Sequence, residues 1–298
     1  MTGHRRSDGF RAPPRILINV DRFDFDDFAR AIRGADHEVD LFGAAMIVSR
    51  LGGHPIDPFH TAARLDHIAE DVLKQAGPNP TQDALSHAIE HQLFTVEGFH
   101  GNTTNYPDPA NSYLDLVVEQ RTGIPITLSL VYMEVAQRVG LICDGVGYPK
   151  HFIIRYGGPE NPVYVDPFQQ GARIDRQELI AGLRTLKSDV AHPDTYLTAV
   201  TRRQILQRLL NNLHTLFRER RDLESWYAVI ELQLRLEPWN AAFIGERGML
   251  HYRLGRLAEA LDDLETYVTA GDKPVTSPGA IRLLDHLRLR RGGSENSP

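Results

Sequence analysis

One cysteine in 298 residues excludes an intrachain disulfide framework and any cysteine-based zinc site, and it suits a reducing compartment. Positive charge is not in excess either. The 33 Lys and Arg against 39 Asp and Glu leave a net charge of −6, so no global field draws the chain to nucleic acid or to an anionic membrane. No apolar run is long enough to cross a bilayer. The polar, basic stretch Met1–Pro14 lacks the apolar core of a secretory signal. The expectation is a cytosolic protein that takes neither nucleic acid nor membrane as partner. A Gly-rich phosphate loop is missing as well. His87 and His91 are four apart with His100 downstream, but His87-Ala88-Ile89-Glu90-His91 is not the zincin order. Neither a metal nor a cofactor is expected.

What is present reads as an ordinary soluble globule, 42% hydrophobic and 24% charged, and long enough for two domains with cores of their own. Residues 1–14 read as a disordered tail. Arg15–Val20 reads as a short edge strand or a lead-in. Helical spacing follows at Phe28, Ala31 and Ile32, then at Leu41, Ala44, Ala45, Ile47 and Val48. Asp57 is placed to cap a longer helix ended by Gly77-Pro78, and Thr81 to cap another with Leu85, Ile89 and Leu93 on one face. Gly98 opens a loop that runs to Pro109.

The centre of the chain is Gly123–Gly140. Ile126, Leu128, Leu130, Val131, Met133, Val135 and Val139 leave almost no polar face, the pattern of a helix covered on most sides. Gly140 stands where a left-handed residue would stop it. Glu134 and Arg138 form an i,i+4 pair on one stripe with Thr127. Leu141–Val146, His151–Tyr156 and Val163–Val165, separated by Gly and Pro, predict an antiparallel meander.

Asp175–Leu186 predicts a further helix, and Ser188–Pro193 a linker. Beyond it the pattern is wholly helical, from Ile205 to Val268, with fraying expected over Arg288–Pro298. Leu234-Arg235-Leu236-Glu237-Pro238-Trp239-Asn240, followed by Gly248, Tyr252, Gly255 and Glu259-Ala260-Leu261, resembles the tetratricopeptide repeat. One full unit and one partial one fall short of an independent solenoid, so the tail is expected to lean on the first domain.

Four ordered motifs also resemble the SirB1 family: Asn111-Ser112-Tyr113-Leu114, Arg121–Ser129, Gly145–Phe152 and Asp166-Pro167-Phe168. The family's domain is a divergent member of the transglutaminase-like, papain-related superfamily. The resemblance covers roughly Asp40 to Gly171 and implies an α+β fold, a helix followed by an antiparallel sheet. The expected organisation is a transglutaminase-like domain over 15–190 with a helical N-terminal layer, TPR-like helices over 194–270, and a C-terminal helix and tail over 271–298. In active superfamily members a Cys starts the helix, a His lies on one strand and an Asp on another. His151 and Asp166 match the last two. Pro125-Ile126-Thr127 offers no cysteine where the first belongs.

On adjacent strands Asp166 can accept the His151 imidazole N–H and hold one tautomer, the orienting half of a nucleophilic triad. Two structural readings, in which that bond is a relic fixing the sheet or His151 is simply a polar residue at a strand start, are together preferred. Cys143 follows the carboxyl end of the helix, where the dipole opposes a thiolate, and reads as a small buried residue. Thr127 and Ser129 near the helix start are candidate hydroxyl nucleophiles, but Ser and Thr are also ordinary there. His100, Asn102 and Asn111 either close their loop by bonding backbone groups or line a cleft with His151. The functional expectation is a non-catalytic interaction or regulatory protein that takes a protein or peptide partner. The alternative is an amide-bond hydrolase or acyltransferase using His151, Asp166 and a hydroxyl.

Overall fold

Short capping side chains set out a first layer of helices in the computed structural model of the chain, which describes residues 23–158, 160–186, 191–269 and 278–294. Asp24 accepts the N–H groups of Asp26 and Asp27 to start α1 (Phe25–Ala31), and Asp40 accepts that of Gly43 in α2 (Leu41–Ser49). Asp57 caps α3 (Pro58–Ala76) through His60, and Thr81 caps α4 (Gln82–Glu90) through Ala84. Past Glu90 the chain widens into a π turn over His91–Val96. It then extends through β1 (His100–Gly101), and passes a 3-10 turn, Pro109–Ser112, into α5 (Leu114–Gln120) and β2 (Thr122–Gly123). The two short strands pair in parallel, and β1 lies inside the stretch that reads as loop from sequence.

Helix α6 (Pro125–Val139) is the buried centre. Ile126, Leu128, Leu130, Val131, Tyr132, Val135 and Ala136 are all excluded from solvent, each large apolar side chain among them worth about 1.5–3 kcal/mol of transfer free energy. The left-handed Gly140 (φ 80°) ends it. Helices α3, α4 and α5 cover it on one side. Its single charged seam faces α3, where Arg138 reaches Glu134 Oε2 and Asp66 Oδ1, both at 2.7 Å.

The sheet that follows has four antiparallel strands in sequence order: β3 (Cys143–Val146), β4 (Ile153–Tyr156), β5 (Val163–Asp166) and β6 (Ala172–Ile174). Alternation sorts its faces. Ile154 and Val165 turn to the core that holds α6, whereas Val146, Ile153 and Tyr164 meet Leu179, Ile180 and Leu183 of α7 (Arg176–Leu186). β6 is a strand the sequence does not predict, and β4 begins at Ile153 rather than at His151.

The tail runs through α8 (Arg202–Arg220), α9 (Leu223–Leu236), α10 (Ala241–Arg253), α11 (Leu257–Thr269) and α12 (Pro278–Ser294). Gly248 lets α10 and α11 close up, since a Cβ there would sit 3.0 Å from Leu264 Cγ. The tail does lean on what precedes it. One continuous core joins Phe28, Ala44 and Leu130 to Leu209, Trp226 and Leu250. The expected fraying from Arg288 is corrected as far as Ser294, because α12 extends that far. Just past the expected linker, Pro193–Leu197 forms a 3-10 turn with Leu197 buried in the cluster of Val146 and α7. The expectations for 1–14, for Arg15–Val20, for 187–190 and for 271–277 and 295–298 lie outside the described residues.

Candidate functional site

His151 sits two residues before β4, in a turn closed by its own N–H on the Tyr148 carbonyl (3.0 Å). Asp166 is the last residue of β5. Its Oδ2 accepts from His151 Nε2 at 2.6 Å, and its Oδ1 accepts the N–H groups of Phe168 (2.9 Å) and Gln169 (3.2 Å). The carboxylate is buried and every contact it makes is a donor, so it holds Nε2 of the imidazole protonated and leaves Nδ1 as the free nitrogen. Phe168 packs edge-on to the His151 ring, with centroids 6.0 Å apart. Gly101 allows this, since a Cβ there would meet the Phe168 ring at 2.5 Å.

A cleft of about 270 Å³ opens at His151. Tyr106, Pro125, Ile126, Lys150 and Phe152 wall it from the first domain, and Arg208, Asn211, Asn212 and Thr215 wall it from α8. The start of α6 thus shares the cleft with His151, but it presents a proline and an isoleucine. Thr127 is fully buried and does not line the cleft. Its hydroxyl donates to the Asn111 carbonyl (2.7 Å) and accepts the Ile124 N–H (3.1 Å), closing the first turn of the helix. Ser129, also fully buried, faces the Phe152 carbonyl at 3.5 Å. Neither hydroxyl meets His151.

Cys143 lies at the end of the β3–β4 hairpin opposite His151, paired with Tyr156, whereas Val146 and Ile153 pair at the near end. Burial pushes its thiol up to about 12. Among the described residues no group of three or more His, Cys, Asp or Glu is placed to hold a metal ion, and no helix is long and apolar enough to cross a membrane.

Asn102 and Asn111 bond each other (Nδ2 to Oδ1, 3.0 Å). Asn111 Nδ2 also donates to the Asn105 and Tyr106 carbonyls, at 2.9 and 3.0 Å. These two residues hold the loop that carries Tyr106 and reach the cleft only through it. His100 bonds Gly98 and Thr122 beside β1 and stands apart from the cleft. Sequence reading missed Tyr106, Lys150 and Arg208. Lys150 adjoins His151 inside the Gly145–Phe152 motif. Arg208, Asn211, Asn212 and Thr215 form a polar stripe at helical spacing along α8, opposite the buried Leu206, Leu209, Leu210 and Leu213. Arg208 Nη2 donates to the carbonyls of Tyr148 (2.9 Å) and His151, and its guanidinium lies over the Phe152 ring, 5.7 Å from the centroid.

The comparisons agree with this geometry. The transglutaminase-like superfamily model matches residues 59–211, and a tetratricopeptide-repeat model matches residues 213–283. A UPF0162 protein of Xylella fastidiosa is 34% identical over 185 residues, 61% of this chain and 66% of that protein. The match therefore spans just under two thirds of that relative's length. A UPF0162 protein of Pseudomonas aeruginosa is 26% identical over 237 residues, covering 78% of this chain and 86% of that one. Human F-box only protein 21 is 28% identical over 189 residues, 58% of this chain and 29% of that one. With a buried helix, an antiparallel sheet carrying a His–Asp pair at one end and a helical-repeat tail, the chain belongs to the transglutaminase-like superfamily, in its SirB1-like branch.

Proposed function

We propose that this protein is a non-catalytic interaction module of the cytosol, taking a protein or peptide partner in the cleft between its transglutaminase-like domain and α8. One observation carries the reading. The helix start that shares the cleft with His151 offers Pro125 and Ile126, and the nearby hydroxyls of Thr127 and Ser129 are buried against backbone carbonyls. A nucleophile must lie within hydrogen-bond reach of its base; among the described residues no hydroxyl or thiol bonds His151. The His151–Asp166 bond then serves to fix the Tyr148–His151 turn against the sheet. The tetratricopeptide-repeat match supports a protein partner, and a single half-buried cysteine suits a reducing compartment.

The test pairs labelling with capture. A fluorophosphonate probe is expected to leave the protein unlabelled. Thr215→Trp, which fills the cleft from α8, is expected to abolish capture of a partner that the native protein retains. Labelling at Thr127 or Ser129 that His151→Ala removes without lowering the melting temperature would establish the hydrolase reading instead. Deleting the tail is not an equivalent test, because Trp226 and Leu250 belong to the shared core.

A further inference from the structure

We propose that the cleft at His151 binds an acidic peptide segment, with a carboxylate of the peptide seated between Lys150 and Arg208. This rests on the interaction-module reading and names the chemistry of the partner. The first observation is charge. The chain carries −6 overall, yet the walls of this cleft hold Lys150, His151 and Arg208 and no carboxylate. The larger cleft beside the other end of α6, about 830 Å³, is of mixed charge, with Asp36, Asp40, Asp66, Glu134 and Asp144 beside Arg138 and Arg202. Asp166 stands behind His151 with both oxygens engaged by donors and does not line the cleft.

The second observation is an incomplete pairing. Arg64, Arg138, Arg173 and Arg247 each meet an Asp or Glu side chain. Arg208, half-buried, meets none among the described residues. Its Nη2 is spent on two backbone carbonyls, and Nε and Nη1 carry no hydrogen bond there. Burial draws its pKa below the usual guanidinium value. A guanidinium taken out of water without a counter-charge is costly, and a carboxylate meeting it fork to fork removes that cost. Lys150 adds a second charge within the same walls. It is exposed, has no ion pair among the described residues, and is held in the left-handed region (φ 62°) by the turn that Arg208 clasps. For a lysine that backbone conformation is strained, and the surrounding contacts maintain it.

The third observation is length. A second cleft of about 230 Å³ shares Tyr106, Asn212 and Thr215 with the first, so the two form one groove along α8. The side chains of Asn212 and Thr215 make no hydrogen bond among the described residues and are available to a peptide backbone. Tyr106, 47% exposed and edge-on to Phe168, offers an aromatic wall. At the far end the groove meets Asp108 and Glu219. It therefore carries opposite charge at its two ends and favours one orientation, with the acidic residue toward Lys150.

The test uses the full chain and a fluorescein-labelled pentapeptide with two glutamates at one end, then a tyrosine and two uncharged residues, read by anisotropy against the same peptide with lysines in place of the glutamates. The acidic peptide is expected to bind and the lysine peptide not. Lys150→Glu should weaken binding by about tenfold with no change in melting temperature, and added salt should weaken it too. Thr215→Trp should abolish it. Inorganic phosphate at equal ionic strength should compete poorly, because it cannot occupy the groove beyond Lys150. Equal binding of both peptides, indifference to Lys150→Glu, displacement by phosphate alone, or no binding of either peptide would each overturn the proposal. Preference for the lysine peptide, abolished by Thr215→Trp, would overturn the acidic class while leaving the interaction module standing.

Discussion

Arg208 of α8 donates from one nitrogen to the carbonyls of both Tyr148 and His151. The turn that presents the His–Asp pair is thereby held by α8, 60 residues further along the chain from Tyr148, and not by the sheet alone. Arg208→Ala removes both bonds and the contact with the Phe152 ring, and should cost about 2 kcal/mol. Amide hydrogen exchange should speed up at residues 148–152 well before the sheet is affected. Arg208→Lys should recover only part of this loss, since an ammonium can donate to both carbonyls but does not stack on the Phe152 ring as a planar guanidinium does.

Asp166 does two jobs that substitutions separate. An asparagine in its place would keep an oxygen for the Phe168 and Gln169 N–H groups but would turn an amide donor toward Nε2. Asp166→Asn should therefore switch His151 to the Nδ1–H tautomer, visible in imidazole nitrogen shifts, with a loss of about 1 kcal/mol. Asp166→Ala forfeits the cap as well and should cost about 2–3 kcal/mol in thermal unfolding.

Cys143 should be a slow thiol. With burial pushing it up to about 12, alkylation by iodoacetamide at pH 8 should run at least about tenfold slower than that of a free cysteine, because the scarcity of thiolate outweighs the greater nucleophilicity of a more basic one. Reaction at the ordinary rate would contradict this burial.

Asp263 in α11 joins Arg247 (2.6 Å) and His251 (3.2 Å), while Arg247 also bonds Glu231 (2.8 Å). Burial pushes the Asp263 carboxyl up, and the pull of His251 and Arg247 outweighs it, so the group sits below the usual carboxylate value. A lowered folded-state pKa adds stability above the unfolded value, about 3.9, that disappears as pH falls through the folded one. Asp263→Asn should be less stable than wild type at pH 7. The difference in melting temperature should close as the pH drops below about 4.

Much of this was readable from the chain. The all-round apolar run Ile126–Val139, the stop at Gly140, the caps at Asp57 and Thr81 and the small residues Gly248 and Ala260 are local signals, and each acts in the fold as its chemistry suggests. The α+β order and the repeat-like tail follow from them. The two-residue strands β1 and β2 carry no alternation to detect, and β6 at Ala172–Ile174 is too short to show one. Thr127 shows how a site residue misleads: its place near a helix start was legible, but not that its hydroxyl turns inward to Asn111. The cleft itself joins Tyr106, His151 and Arg208 across three distant stretches, and no periodicity in one of them points to the others.

The first turn of α8 takes a cap from far away: Asp36 accepts the N–H groups of Arg202 and Arg203, the former across 166 residues. During synthesis the early helices must therefore wait, their apolar sides uncovered, until that late helix leaves the ribosome. Nascent chains arrested before residue 220 should be chaperone-bound and readily digested, and resistance should arrive in one step once α8 and α9 have emerged.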